Sequence, residues 1–344
     1  MKTATSTQPP RPAQAIIETM RSIVQDQYGA APEEVLRLTD VARPTVADDE
    51  VLVRVRAASV DRGTWHIMAG LPYPMRVMGF GFRRPKAANP GRSLAGTVQA
   101  VGKDVTELKV GDDVYGTCEA SFAEYVCAKP GKLACKPANL SFDQAAAVPV
   151  SGLAALQAVR DRAGVKAGQK VLVIGASGGV GSFAVQIAKA LGAEVTGVCR
   201  TDKVDLVQAL GADHVVDYTK EDYAYDGYHF DAIIDTGGNR PLSRLRRSLA
   251  RRGTLVIVGG ETGGRWLGGI DRLLRAPLLS ALVSQKLRLL TTSENSKDLT
   301  VLGELLEAGK VTPAVDRTYP LNEAAAAVRY TQEGHARGKV VIAV

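Results

Sequence analysis

The chain has 344 residues, room for about two domains that each bury a core, which excludes a small scaffold held together by disulfides. With 45% hydrophobic and 23% charged residues and a mean hydropathy of −0.02, it lies in the globular range, outside disordered and membrane-embedded compositions. Lysine and arginine number 43 against 36 acidic residues; the net +7 and pI near 9.2 attract anions, but the excess is modest for this length.

Residues 1–19 carry Pro9, Pro10 and Pro12 and no apolar core of signal-peptide length, and read as a poorly ordered extension. No window reaches the roughly 18 uncharged apolar residues of a membrane helix. The nearest, Leu273 to Leu290, is broken by Arg275, Pro277, Lys286 and Arg288. Cys118, Cys127, Cys135 and Cys199 have no close pairing, which suits a reducing compartment and predicts a cytoplasmic protein. Residues 20–145 read as β-rich. Val51, Val53 and Val55 alternate with Leu52, Arg54 and Arg56, and short strands follow at Gly96-Thr97-Val98, Asp113-Val114-Tyr115 and Phe122 to Cys127. Across 146–310 the pattern changes: β-branched runs at 171–174, 194–198, 214–216, 230–235 and 254–258 are separated by amphipathic stretches. Such alternation predicts βαβ units on a parallel sheet. Near Val311 the helical units stop, and Lys339-Val340-Val341-Ile342 reads as a lone closing strand, so 311–344 are expected to return to the first domain.

Directly after the first β-branched run of the second region stands Gly175-Ala176-Ser177-Gly178-Gly179-Val180-Gly181, then a helical pattern whose buried face is Val180, Ala184, Ile187 and Leu191, with Gly192 as its C-cap. A pyrophosphate needs close backbone approach and outward N–H groups at a helix start, so Gly175, Ser177, Gly178, Gly179 and Val180 are candidate dinucleotide contacts. Gly259, after the last β-branched run, is another. An NAD-binding chain usually holds a carboxylate about 20 residues past the glycines for the adenine ribose. Here Cys199 is followed by Arg200-Thr201-Asp202-Lys203. Arg200 and Lys203 offer charge to a 2′-phosphate, which favours NADPH over NADH; the alternative is a solvated helix start with Asp202 on the ribose.

These motifs join Ala57-Ala58-Ser59-Val60-Asp61, Gly96-Thr97-Val98-Gln99-Ala100-Val101-Gly102, Gly111-Asp112-Asp113-Val114-Tyr115-Gly116, Ala145 to Leu153 and Gly334 to Val341. Together the chain resembles, from about Met20 to Val344, the zinc-independent, quinone-oxidoreductase side of the medium-chain dehydrogenase/reductase superfamily. The resemblance implies an α/β fold: a doubly wound Rossmann domain interrupting a GroES-like, β-rich catalytic domain. It implies a homodimer, and hydride transfer from NADPH to a quinone or a carbonyl-conjugated C=C bond in the cleft between domains. It also implies that Lys203 and Tyr218, which match the spacing of a Lys and a Tyr in similar enzymes, hold the 2′-phosphate.

Zinc-dependent relatives place a Cys after the strand that ends here at Val60, then a Gly-His-Glu run, then a Cys or Asp near the domain junction. This chain has Asp61, Gly91-Arg92-Ser93 and Val148-Pro149-Val150-Ser151, and lacks four closely spaced cysteines for structural zinc, so no metal is expected. Asp61 and Arg92 are expected to pair in the metal's place. Without a Lewis acid, the acceptor must spread incoming charge onto an oxygen that needs only hydrogen-bond donors. His66, five residues past Asp61, is the candidate proton donor beside water, since an imidazole with a pKa near 6.5 suits that role. Trp65, Tyr73 and Arg92 are the candidate acceptor pocket. Tyr73, Met75, Met78, Phe80 and Phe82 either rim the cleft or pack beneath their loop.

Arg240, Arg244, Arg246, Arg247, Arg251 and Arg252 are expected on one helix, a solvated basic face; no nucleic-acid motif accompanies them, so nucleic acid is not the primary partner expected. Arg265 to Leu290, rich in leucine and carrying Trp266, is expected to be buried in a homodimer. Alternative activities are an enoyl-thioester reductase or a carbonyl or alcohol dehydrogenase of the same fold. An alternative of another class is a non-catalytic, NADPH-binding crystallin-like or RNA-binding protein.

Overall fold

The computed structural model describes residues 18–344 apart from 224–228, 239, 260–265, 267–274, 277 and 281. Most of the expected N-terminal extension, and Leu267, Leu273 and Leu274 of the expected dimer segment, lie outside the described residues. Strands β1 (Thr19–Val24) and β2 (Arg37–Ala42) form a separate antiparallel pair. Then come β3 (Val51–Val60), β4 (Ser93–Val101), β5 (Asp113–Thr117), β6 (Tyr125–Ala128) and β7 (Leu133–Cys135). In β3 the expected alternation appears as exposed Arg54 and Arg56 against buried Val51, Val53 and Val55. Leu52 is buried as well, and from Ala57 to Val60 both faces are covered. That second half delivers Asp61 into the interior.

Strands β8 (Lys170–Ile174), β9 (Glu194–Cys199), β10 (His214–Asp217), β11 (Phe230–Asp235), β12 (Leu249–Ile257) and β13 (Lys286–Leu289) form a parallel sheet ordered β10-β9-β8-β11-β12-β13. Buried side chains cluster on both sheet faces, as a doubly wound sheet requires. The order reverses between β8 and β11, where such sheets open a crevice at their carboxyl ends. Strand β13 falls inside the segment expected to bury itself in a dimer; its Lys-Leu-Arg-Leu is too short and too charged to show as a strand in the sequence, and it forms an edge. In the helix Gly179–Ala190, Leu191 at the end is 38% exposed while Phe183 and Val185 are fully buried. The apolar face is wider than expected because the helix Pro149–Leu156 covers it from the side away from the sheet.

Two expectations need correction. After Val311 the chain does not hold one lone strand: β14 (Val315–Pro320) and a helix, Ala324–Gln332, precede β15 (Lys339–Ala343). That helix buries Ala324, Ala327 and Val328, and alanine gives little periodic signal. β15 pairs with β14 on one side and antiparallel with β3 on the other, so the last strand completes the sheet begun by the first half. The arginines also do not share one helix. Arg251 and Arg252 lie on β12, while the helix Leu242–Arg247 carries Arg244, Arg246 and Arg247. Arg240 and Arg244 pair with Asp222, and Arg246 donates to Gln285, which spends much of the basic face inside the chain.

The two sheets are joined by more than the connecting chain. The helix Ser296–Glu307 packs on the helix Pro149–Leu156 and on β7, and the Tyr115 hydroxyl, buried in β5, donates to the Leu299 carbonyl at 2.6 Å.

Candidate active site

β8 stops at Ile174 because Gly175 turns the backbone into the left-handed region, with φ +77°; a Cβ there would stand 2.5 Å from Thr236 Oγ1. Gly181 meets the same turn from the helix. A Cβ on it would lie 2.0 Å from the Gly175 carbonyl oxygen, a contact no side chain permits. Gly178 caps the helix start, where the first N–H groups lack intrahelical partners, and a Cβ on it would meet little beyond the Gly175 carbonyl at 3.3 Å. The result is a bare, donor-rich turn open to the crevice.

A cavity of about 470 Å³ begins at this turn, with Gly175, Ser177 and Gly178 on one wall and Arg200, Lys203 and Tyr218 on the other. Arg240 lines it too, a residue assigned from the sequence only to a solvated face. The Arg200 guanidinium holds Asp202 at 2.7 and 2.8 Å, which lowers the Asp202 carboxyl to about 2. Lys203 is buried and donates to the carbonyls of Gly334 and Ala336 at 2.9 and 2.7 Å. Burial and the nearby Arg200 charge push its pKa down. Gly259 follows β12; a Cβ there would approach the carbonyl of Thr236, another residue of the cavity wall.

A second cavity of about 270 Å³ shares Gly178, Lys203 and Gly334 with the first and continues past Gly179 and Val180 to Asp61, Ser151 and Lys339. Lys339 was missed in the sequence. It is the first residue of β15, 1% exposed, and its ammonium donates to Asp61 Oδ1, to Ser151 Oγ at 3.1 Å and to the Val60 carbonyl at 3.3 Å. Ser151 Oγ donates to the same Oδ1 at 2.7 Å, and Ser93 Oγ reaches Oδ2 at 3.4 Å. The expected Asp61–Arg92 pair is therefore incorrect. Arg92 binds Glu294 at 2.7 Å, beside Lys132 at 2.9 Å, and the cation facing Asp61 comes from the far end of the chain.

Arg92 lines a third cavity, of about 230 Å³, with Ile67, Met78, Phe80, Asn89 and Glu119. Val77, Met78 and Phe82 are each at least 70% exposed, so this part of the loop stands at the surface. Trp65 donates its indole N–H to the Ala30 carbonyl, and Tyr73 stacks edge-on against Trp266 at 5.2 Å. His66 lies half-buried on the helix Arg62–Ala69, edge-on to Trp65, with Nδ1 2.9 Å from the Leu71 carbonyl. A carbonyl only accepts, so Nδ1 carries a proton. Trp65, His66 and Tyr73 line none of these three cavities.

The bare turn, the cavity walls and the cations fit a dinucleotide. The donors near Asp61 do not fit zinc: an ammonium already occupies the carboxylate, and among the described residues no three His, Cys, Asp or Glu gather as a metal site. Fold and trough thus define a two-domain, dinucleotide-binding protein.

Residues 47–158 match the alcohol dehydrogenase GroES-like domain family, and residues 210–342 match a family described as zinc-binding dehydrogenase. The chain is 31% identical to the chloroplast envelope quinone oxidoreductase homolog of Arabidopsis thaliana, over 94% of this chain and 98% of that one. It is also 31% identical to the chloroplastic NADPH-dependent alkenal/one oxidoreductase of the same plant, over 95% of this chain and 80% of that one. The solved quinone oxidoreductase of Coxiella burnetii, 31% identical, superposes with a TM-score of 0.80 over 95% of this chain and 100% of that one. The chain belongs to the medium-chain dehydrogenase/reductase superfamily.

Proposed function

We propose that this protein is an oxidoreductase that transfers hydride from NADPH, without zinc, to a quinone or to a C=C bond conjugated with a carbonyl. The observation that carries the reading is the continuous trough from Arg200, Lys203 and Tyr218 along the bare glycine turn to Asp61 and Ser151. Bound NADPH supplies the hydride. Gly175, Ser177, Gly178, Gly179 and Val180 present backbone to its pyrophosphate at a helix N-terminus, and Gly259 lies beside the same crevice. Arg200, Lys203 and Tyr218 face its 2′-phosphate, which supports NADPH over NADH. Asp61 orients the reacting half. Arg92 lines the third cavity, on the side from which the acceptor enters, while Trp65 and Tyr73 lie outside the three cavities. His66, on the helix Arg62–Ala69 whose Ile67 lines the third cavity, gives a proton as the imidazolium to the enolate or quinol oxygen and is left as the neutral imidazole.

Oxidation of NADPH against a panel of quinones, α,β-unsaturated ketones, enoyl thioesters and simple aldehydes tests the reading, with product analysis. Quinones or enones should turn over at least about tenfold faster than aldehydes. Turnover confined to alcohols with bound zinc overturns it, and an unchanged rate in His66→Ala on every acceptor removes that proton donor.

The same reading includes a homodimer and a cytoplasmic setting. Edge strand β13, with Trp266, Leu278 and Leu282 each more than 70% exposed nearby in the chain, supports pairing of two copies; a solution mass of one chain removes that element. The four free cysteines support a reducing compartment, and among the described residues no helix is long and apolar enough to cross a membrane.

A further inference from the structure

The cluster at the inner end of the trough contains a charge pair that the hydride transfer itself does not call for. Lys339 is 1% exposed, and its three partners are Asp61 Oδ1, Ser151 Oγ and the Val60 carbonyl. An ammonium has three protons, so this donor is fully used and has none left for a ligand. Asp61 is in the opposite position. Its Oδ1 accepts from Lys339 and Ser151, and Oδ2 has a long contact from Ser93 Oγ at 3.4 Å; the carboxylate also caps the helix Arg62–Ala69 in a capping box with Thr64, and it lines the cavity that continues the dinucleotide trough. A carboxylate oxygen in a cavity wall, held by weak contacts alone, has lone-pair capacity left for hydroxyl donors. The two phosphates of a dinucleotide belong at the helix start, Gly178 to Val180. Beyond them, on the side away from Arg200 and Tyr218, the next group is the second ribose, whose adjacent hydroxyls are two donors on neighbouring carbons.

We propose that Lys339 is a positioning residue: with Ser151 it holds Asp61 in one rotamer, so that Oδ2 accepts from the hydroxyls of the nicotinamide-side ribose. The inference rests on the cofactor reading above. Gly179 supports the geometry, because a Cβ there would lie 3.0 Å from Ser151 Oγ and 3.2 Å from Lys339 Cδ; the phosphate turn and the charge pair are packed against each other. The ion pair is also split across the chain. Asp61 follows β3, and Lys339 opens β15, so pairing of those two strands brings acceptor and cation together.

Binding by the full chain of NADPH and of 2′,5′-ADP, which carries the 2′-phosphate but no second ribose, separates the possibilities. Asp61→Asn and Lys339→Met should each weaken NADPH about tenfold and leave 2′,5′-ADP within about twofold. In a Lys339→Met background, Asp61→Asn should add no further loss of NADPH affinity. The double variant should regain thermal stability relative to Lys339→Met, since it no longer buries an unpaired carboxylate; this keeps the cycle readable if the single variant folds poorly. Equal losses for both ligands would show a merely structural role and overturn the proposal. Additive losses would do the same, because Lys339 would then read the cofactor directly. Wild type binding neither ligand sinks the cofactor reading itself, and the inference with it.

Discussion

Arg200 commits two nitrogens to Asp202, and under the proposed NADPH reading this pairing would limit how strongly it holds a 2′-phosphate. A phosphate bound there would share the guanidinium with a carboxylate that stays ionised at any working pH. Lys203 is bound to two carbonyls, so under the proposed NADPH reading more of the recognition would fall to the exposed Tyr218. Arg200→Ala should raise the NADPH dissociation constant about tenfold and leave NADH within about twofold, which titration of each cofactor measures. Arg200 and Lys203 could be picked out in the sequence because they directly follow one strand, β9, while Tyr218, after β10, was named only through the family resemblance. The sequence did not make Lys339 legible: a lysine opening Lys-Val-Val-Ile looks like a solvated strand end until β15 is laid against β3.

The phosphate turn separates two uses of glycine. At Gly181 the missing Cβ is a folding requirement, because the Gly175 carbonyl occupies its place. At Gly178 the backbone has an ordinary φ of −84° and a Cβ would meet the Gly175 carbonyl alone, at a tight 3.3 Å, so the missing side chain matters less for folding than for the proposed approach of a cofactor from the crevice. Gly178→Ala should therefore keep the thermal midpoint within a few degrees and weaken NADPH about tenfold or more. Gly181→Ala should lower stability by about 2–4 kcal/mol as well, through overpacking against backbone. Thermal melts beside cofactor titrations check both; equal effects from the two substitutions would contradict the distinction. This element was readable because strand, turn and helix are contiguous. The helix Ala324–Gln332 and edge strand β13 were not, one for lack of large apolar residues and the other for its length and charge.

Across the whole molecule, Glu294 ties the two halves together. Gln157 fixes the segment by exchanging hydrogen bonds with Ser293 at 2.8 and 2.9 Å, and Glu294 then meets Arg92 and Lys132 of the first domain. Burial pushes the Glu294 carboxyl up, but the Arg92 and Lys132 charges and their hydrogen bonds outweigh it and hold it below the ordinary carboxylate range. A carboxyl depressed in the folded state contributes stability that is present above its unfolded pKa, near 4.3, and is lost as pH falls through the folded value. Glu294→Gln should cost about 1–3 kcal/mol at pH 7, and the gap to wild type should close below about pH 4. Denaturant unfolding across that range measures it, and a gap that does not change with pH would place the effect elsewhere.

Local order was enough to read the glycine-rich turn, the parallel sheet and the return of the tail to the first domain. These depend on residues close in sequence, or on runs whose period declares which face is buried. Tertiary structure alone decided that Asp61 pairs with Lys339 and not Arg92, that Arg92 and Lys132 hold Glu294, and that Arg240 faces the trough. Each is a charge partnership between distant segments. Charge carries no period, so its partner becomes known only when the strands are in register.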